Sequence, residues 1–241
     1  MSRTSDVLAP ARKRLSLADR IVADFAPYAL FAAEAPDIRG GSILTGWRDH
    51  SGNGRHLTTV VSTAPTYTAA SAPFGNRPAV IFSGGYLETT VTDFDLDDAS
   101  FLFVFADMGT TTTEESPGGT VYNTGFWCGR NGSNANLWTG GFVEPAPPYG
   151  QVVTATDGYP HALLYTRSGT THIVYVDGVE AAEQVGSSAV LSATAYKIGG
   201  GTGGGILSST HVPLTGVWNT ALTAANAATL QDMFRETWGM P

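Results

Sequence analysis

The densest run of chemistry-bearing side chains is Asp93-Phe94-Asp95-Leu96-Asp97-Asp98. In an extended segment, alternation places Asp93, Asp95 and Asp97 on one side, which suits a hard, oxygen-loving cation such as calcium. The run is not an EF-hand loop. Its sixth position is Asp98 where the sharp turn needs glycine, and its twelfth is Val104 where a bidentate glutamate belongs. The competing reading is a solvated loop ahead of a strand at Phe101. The single cysteine, Cys128, has Arg130 two residues away to lower its pKa. No histidine stands near it in sequence to serve as base.

Bond-breaking chemistry finds little else to use. Sandwich-type glycanases need two carboxylates facing each other across a cleft, usually alternating along one strand. Here the neighbouring glutamates are Glu114 and Glu115, and adjacent residues of an extended chain point opposite ways. The five histidines (His50, His56, His161, His172 and His211) show no metal-ligand spacing. The glycine-rich run Gly199–Gly205 lacks the Gly-Lys-Ser/Thr ending of a phosphate loop, and no Gly-x-Ser-x-Gly elbow occurs. No catalytic residue can be named, and the expectation is a protein that is not an enzyme.

Binding chemistry has better material. From Met108 to Tyr159 the chain mixes Gly, Pro, Thr and Asn with aromatic residues. Ring faces beside small polar groups suit a sugar, whose C–H face packs on a ring while its hydroxyls find amides and hydroxyls. Phe126 and Trp127 read as strand core. Trp138, Phe142 and Tyr149, flanked by Gly140-Gly141 and Pro145-Ala-Pro-Pro148, are the candidate ligand-binding residues.

Three regions must position these groups. Residues 1–27 hold Arg3, Arg12, Lys13, Arg14 and Arg20, five of the 13 bases. Within them Ser16 reads as an N-cap with Asp19 three residues on, and Leu17, Ile21 and Phe25 form an apolar stripe that Pro27 ends. A helix of about two turns is not stable alone in water. It needs a partner surface, from its own domain or from another subunit. From Tyr28 to about Thr220 short runs such as 79–82, 101–105, 161–165 and 172–176 are rich in β-branched and aromatic residues and punctuated by glycine. No helical period survives there, which excludes alternating strand–helix units. Thr223 then caps a helix carrying Ala227, Leu230, Phe234 and Trp238, with Gly239 as its stop. It is expected to cover a rim or edge of the sandwich.

Length and charge bound the rest. The chain has 241 residues and 42% hydrophobic content, enough for one core, while 21 acids against 13 bases give −8. A nucleic-acid partner is not expected of so acidic a chain. No apolar run approaches the ~20 residues of a membrane-spanning helix. One cysteine rules out an internal disulfide, and the start of the chain lacks a secretory apolar stretch. Trp47 reads as a core anchor rather than a ligand platform.

Several pieces, in order, resemble one family. They are Trp47-Arg-Asp49-His-Ser51-Gly-Asn53-Gly54, Pro65-Thr-Tyr67, Asn76-Arg-Pro-Ala-Val-Ile-Phe-Ser-Gly84 with Tyr86-Leu87, Tyr175-Val-Asp177-Gly178, Ile198-Gly-Gly200, and Leu214-Thr-Gly-Val-Trp218-Asn219. Over about residues 28–239 the chain is similar to laminin-G-like, concanavalin A-like jelly rolls. The resemblance implies an all-β, antiparallel two-sheet jelly-roll sandwich with short N-terminal and C-terminal helices. It also implies occasional calcium at a rim, and otherwise no cofactor. The domain reading is a basic N-terminal docking arm, 1–27, followed by a jelly roll, 28–241.

In phages such domains occur in minor tail, fibre and head-decoration proteins, which leave the cell without a secretion signal. The resulting expectation is a non-enzymatic virion protein, multicopy or oligomeric. Arg12, Lys13, Arg14 and Arg20 would dock on other virion subunits, and the jelly roll would contact host surface polysaccharide. A purely structural virion subunit, a bacterial extracellular glycan-binding protein and a polysaccharide-degrading enzyme stand as alternatives.

Overall fold

The computed structural model describes residues 15–39, 42–91, 93–107, 115–120, 125–130, 137–142, 151–154, 158–186, 193–200 and 209–241. Helix α1 (Leu17–Phe25) leads into β1 (Ala29–Arg39), β2 (Ile43–Asp49), β3 (Thr59–Ser62), β4 (Thr66–Ser71), β5 (Arg77–Phe82) and β6 (Gly85–Thr90). There follow β7 (Asp98–Asp107), β8 (Glu115–Gly119), β9 (Phe126–Arg130), β10 (Leu137–Phe142), β11 (Gln151–Thr154), β12 (Pro160–Ser168), β13 (Thr171–Val176) and β14 (Val179–Val185). Strands β15 (Ala195–Ile198) and β16 (Thr210–Trp218) and helix α2 (Ala224–Trp238) complete the fold. Two antiparallel sheets result. One has nine strands in the order β1-β2-β4-β5-β16-β7-β12-β13-β14, and the other seven in the order β11-β10-β9-β8-β15-β6-β3. The expected antiparallel two-sheet jelly roll with a helix near each end is what the chain forms.

Strand β7 shows why the sheets stack. Phe101, Phe103 and Phe105 face the seven-stranded sheet, and Phe101 stacks on Phe126 at 3.9 Å between ring centroids. Leu102, Val104 and Ala106 belong to a second core on the outer face. Successive strand residues point to opposite faces, so an unbroken apolar run requires cover on both. The helices supply it. Leu17, Ala18 and Ile21 of α1 and Ala227, Leu230, Met233 and Phe234 of α2 bury against Leu30, Leu102, Leu164 and Trp218. The terminal helix therefore lies over the outer face of the nine-stranded sheet, where the sequence suggested a rim or edge. Its apolar stripe fixes which side of the helix is buried, and the outward residues of β7 and β12 fix where.

The apolar stripe of α1 is satisfied within its own domain. Ser16 and Asp19 form the expected capping box. The Trp218 indole N–H donates to the Phe25 carbonyl at 3.0 Å, and Arg20 pairs with Glu236 of α2 at 2.7 Å. Thus Arg20 is engaged inside the chain, while Arg12, Lys13 and Arg14 lie outside the described residues.

Two sheet details depend on single residues. Strand β16 pairs with β7 along one side, and along the other with β5 at its start and β1 at its end. Between His211 and Leu214 its register against β7 slips by one residue, and Pro213 sits in that bulge. A proline, lacking an N–H, is tolerated in a central strand at such a point. At Gly85 a Cβ would stand 1.8 Å from the Thr63 carbonyl oxygen, so the approach of β3 to β6 requires glycine.

Buried polar groups bridge the sheets. Tyr196 on β15 meets Thr215 on β16 at 2.8 Å, and the Thr215 hydroxyl donates to the Leu102 carbonyl at 2.8 Å. Cys128 on β9 donates to the Tyr165 hydroxyl on β12 at 3.2 Å. Burial pushes the Cys128 thiol from its ordinary 9.0 up to about 12, and raises both tyrosines as well. A buried neutral thiol packs as a small hydrophobe, and its reactive thiolate is suppressed.

Three outcomes follow from this packing. Ile21→Ala should lower the unfolding free energy by about 2–4 kcal/mol in urea titration, because α1 fills the domain's own core. The raised acids ionise in the unfolded chain before they ionise in the folded one. Their stabilisation is therefore complete at neutral pH and is lost as pH rises from about 9 towards 12. A thiol reagent at pH 8 should label Cys128 only as fast as the domain unfolds.

Candidate functional site

At one end of the sandwich the chain enters β1 beside the turn that follows β2, and a carboxylate organises the junction. Asp49 Oδ1 accepts hydrogen bonds from the Leu30 and Ser51 amides at 3.0 and 2.8 Å. Its Oδ2 accepts from the Ser51 hydroxyl at 2.8 Å and the Arg55 amide at 2.9 Å. The side chain is buried, so this set replaces its hydration. Asn53 adds two bonds from its amide to the Pro27 and Tyr28 carbonyls, at 3.2 and 3.0 Å. Gly52 and Gly54, at φ +87° and +73°, let the turn close.

This turn delivers Arg55 onto Tyr28. The guanidinium carbon lies 3.6 Å from the ring centroid, a cation–π stack. Arg55 Nη2 pairs with Asp93 Oδ2 at 2.8 Å, and the Tyr28 hydroxyl donates to Asp93 Oδ1. Behind them Phe94 packs edge-on against Tyr28 and Phe101. Thr89, Val91 and Thr120 complete a small, largely apolar recess between the two sheets, with Arg55 at its margin. Burial, helped by the hydrogen bond to Asp93, raises the Tyr28 hydroxyl above its usual range. The same hydrogen bond, aided by Arg55 against a desolvation cost, holds the Asp93 carboxyl below its own. The arrangement offers aromatic and apolar surface, one cation and an outward carboxylate at a single mouth, a mixture suited to recognition.

The acidic run divides its labour. Asp93 binds Tyr28 and Arg55, while Asp95 Oδ1 accepts from the Asp97 amide at 2.8 Å. Asp97 pairs with the buried Arg167 at 3.1 Å, and Asp98 accepts from the Ala221 amide at 2.9 Å. The structure therefore does not bring Asp93, Asp95 and Asp97 together as a cation site. Among the described residues no three His, Cys, Asp or Glu side chains converge as a metal-ligand set. The physical reason is that Arg55 reaches into the run from a distant turn and Arg167 from a distant strand.

Two of the sequence-derived aromatic candidates fall elsewhere. Trp138 and Phe142 stand at opposite ends of β10, where Trp138 pairs with Arg130 and Val153, and Phe142 with Phe126. Tyr149 lies outside the described residues. Trp47 and Phe126 are core residues, as their sequence context suggests, and the Trp47 indole N–H donates to the Ala32 carbonyl at 2.9 Å.

Two pairs escaped the sequence reading. His161 Nδ1 meets Asp177 Oδ2 at 2.8 Å at the opposite end of the sandwich, beside the exposed Tyr159. His211 Nδ1 meets the Ser71 hydroxyl at 2.8 Å, and burial lowers the His211 pKa. A hydroxyl beside an imidazole is the core of a nucleophile–base pair. Ser71, however, is 1% exposed, which closes it to a substrate.

No protein-family model matches the chain, and no curated protein matches it in sequence. Solved structures do match its fold. The binding domain of botulinum neurotoxin DC, in complex with rat synaptotagmin II, superposes with a TM-score of 0.66 at 10% identity, covering 93% of this chain and 55% of that one. A botulinum neurotoxin type C structure, described with cell entry dependent on two ganglioside molecules, gives 0.60 at 12% identity, covering 83% and 54%. Domain 4 of the extracellular arabinanase AbnA from Geobacillus stearothermophilus, in complex with arabinotriose, gives 0.58 at 12% identity, covering 85% and 98%. This chain spans about half the length of the toxin chains and nearly all of the arabinanase domain. At these identities what is shared is the jelly roll itself.

Asp49→Ala would leave four buried or half-buried donors short of their acceptor. It should cost about 3 kcal/mol or more in denaturant unfolding, and Asp49→Asn should recover part of that loss.

Proposed function

We propose that the chain is a non-enzymatic carbohydrate-binding jelly roll, displayed on a phage virion protein that contacts host surface polysaccharide. The observation that carries the carbohydrate reading is the superposition on a complete arabinotriose-bound domain, since a whole domain and not a fragment is matched. The ganglioside-dependent toxin supports the same class of ligand. Two features of this chain fit it. Its mouth at Tyr28, Arg55 and Phe94 combines ring surface with polar groups. Its glycine- and proline-rich segment adds Trp138, Phe142 and Tyr149 as ring-bearing ligand candidates.

The virion placement rests on the resemblance of the sequence pieces to phage laminin-G-like domains, with Arg12, Lys13 and Arg14 as the bases offered to a neighbouring subunit. The non-enzymatic reading rests on the carboxylates that are described. Asp49, Asp97 and Asp98 are engaged in holding turns and strand ends, Asp93 is paired with Tyr28 and Arg55, and Ser71 is enclosed. Affinity per domain would be modest, and many copies on a particle would raise avidity without new contacts.

The test is a glycan array probed with the multivalent full chain, followed by host-cell binding of the Trp138→Ala, Tyr149→Ala double variant. Binding to oligosaccharides, without their cleavage, is expected. The double variant should lose most cell binding while its Tm moves little. Absence of glycan binding would overturn the carbohydrate reading, and released saccharide would overturn the non-enzymatic one. Antibody to the domain should decorate purified phage particles if the placement is right, and leave them bare if it is wrong.

A further inference from the structure

Asp93 sits at the rim mouth with 61% of its side chain exposed, yet both of its carboxylate oxygens are held. The Tyr28 hydroxyl donates to Oδ1, and Arg55 Nη2 donates to Oδ2 at 2.8 Å. Two convergent donors, one of them a guanidinium, are how proteins recognise a carboxylate. Neither donor relies on Asp93 for its position. Arg55 lies on the Tyr28 ring, its Nη1 reaches the Tyr28 carbonyl at 3.4 Å, and its amide is tied to Asp49. Tyr28 is 8% exposed and packed against Phe94.

The backbone of Asp93 is also fixed independently of its carboxylate. Asn219 donates from Nδ2 to the Asp93 carbonyl at 3.2 Å, and the next residue, Phe94, is packed against Phe101. Swinging the Asp93 side chain into solvent is then a rotamer change that leaves the loop in place. The vacated donors would face outward beside the half-buried Phe94 ring and Thr89, while Val91 and Thr120 are enclosed behind them.

The geometry points to a carboxylate receptor, formed by the Tyr28 hydroxyl and the Arg55 guanidinium, that the chain's own Asp93 occupies and that a sugar acid enters by displacing it. This inference rests on the carbohydrate reading and names the ligand class, a hexuronate-containing oligosaccharide. A neutral sugar offers Arg55 nothing to replace the lost ion pair. A uronate replaces one carboxylate by another and can lay its ring face against Phe94, so the exchange loses no charge pairing. The net charge of −8 opposes an acidic ligand at long range, so the gain comes from contact and not from steering. Asp93 thereby acts as a tethered competitor that sets a threshold for entry.

The experiment titrates the full chain with trigalacturonate, and with its neutral methyl ester as the charge-free control, by calorimetry or NMR shift mapping. Wild type should bind the acid and bind the ester about tenfold more weakly or not at all. Asp93→Asn weakens the competitor while keeping its shape, and should tighten trigalacturonate binding by about fivefold or more. Tyr28→Phe removes one hydroxyl and should weaken it several-fold, while Arg55→Gln should abolish it. Because Arg55→Gln also loosens the rim, its Tm is measured beside it, and Tyr28→Phe decides the matter if that variant unfolds. Equal binding of acid and ester, or an Asp93→Asn variant that binds no tighter, would overturn the receptor. If the array finds neutral glycans whose binding none of these variants changes, the receptor fails while the carbohydrate reading stands. If no glycan of any charge binds, both fail.

Discussion

Everything in this fold depends on a strand that must be dry on both faces. Strand β7 carries aromatic side chains towards the second sheet and aliphatic ones towards the helices, with scarcely a polar residue between Phe101 and Ala106. A two-layer sandwich would leave Leu102, Val104 and their neighbours Ala162 and Leu164 in water. At about 25 cal/mol per Å² of apolar surface, that exposure would cost several kcal/mol. The helices are therefore a third layer and not ornaments at the ends of the chain. The pairing of α1 with α2 through Arg20 and Glu236 contributes less, since an ion pair this exposed is worth about 1 kcal/mol at most.

The same logic separates the two kinds of polar group in the molecule. Inside, Tyr196 meets Thr215 and Cys128 meets Tyr165 across the sheets, and the pKa values of the thiol and the two tyrosines rise because burial disfavours the charged form. At the rim, Asp49 is a buried carboxylate fully used by backbone and hydroxyl donors, whereas Asp93 is an exposed one held by side chains alone. The first fixes the turn that the second merely visits. That difference in exposure makes the mouth a place for recognition and the turn beneath it a piece of scaffold.

Local signals in the sequence were legible in proportion to how local their physics is. Ser16, Thr223 and Gly239 cap their helices as their positions suggest, because capping involves residues three or four apart. The strands around Phe101 and His172 follow from β-branched and aromatic enrichment, and the turn at Asp177-Gly178 from positive φ. The acidic run was harder. Its alternation reads as a cation site, and nothing within it reveals that Arg55 and Arg167, 38 and 70 residues away, enter to bind two of its members. Tyr28 and Arg55 each carried a signal, one opening the first strand and the other closing the Ser-Gly-Asn-Gly turn. Their meeting depends on a β1–β2 pairing that no spacing in the sequence encodes. The face on which α2 lies was hidden for the same reason, since a helix stripe names what is buried and not what buries it.

Strand β16 has a consequence for how the molecule comes to be. It alone joins β1, β5 and β7, and its tryptophan also closes the end of α1. A chain emerging from the ribosome N-terminus first has its opening helix, its first five strands and β7 in hand long before residue 210 appears. Through that interval the widest sheet lacks its keystone, and the aromatic edges of β7 and the stripe of α1 stay open to water. Contacts separated by nearly the whole chain form slowly, because loop closure must precede the burial that rewards it. Productive folding of this domain thus waits for residues 210–218, and the nascent domain is at its most vulnerable to edge-to-edge aggregation until they are made.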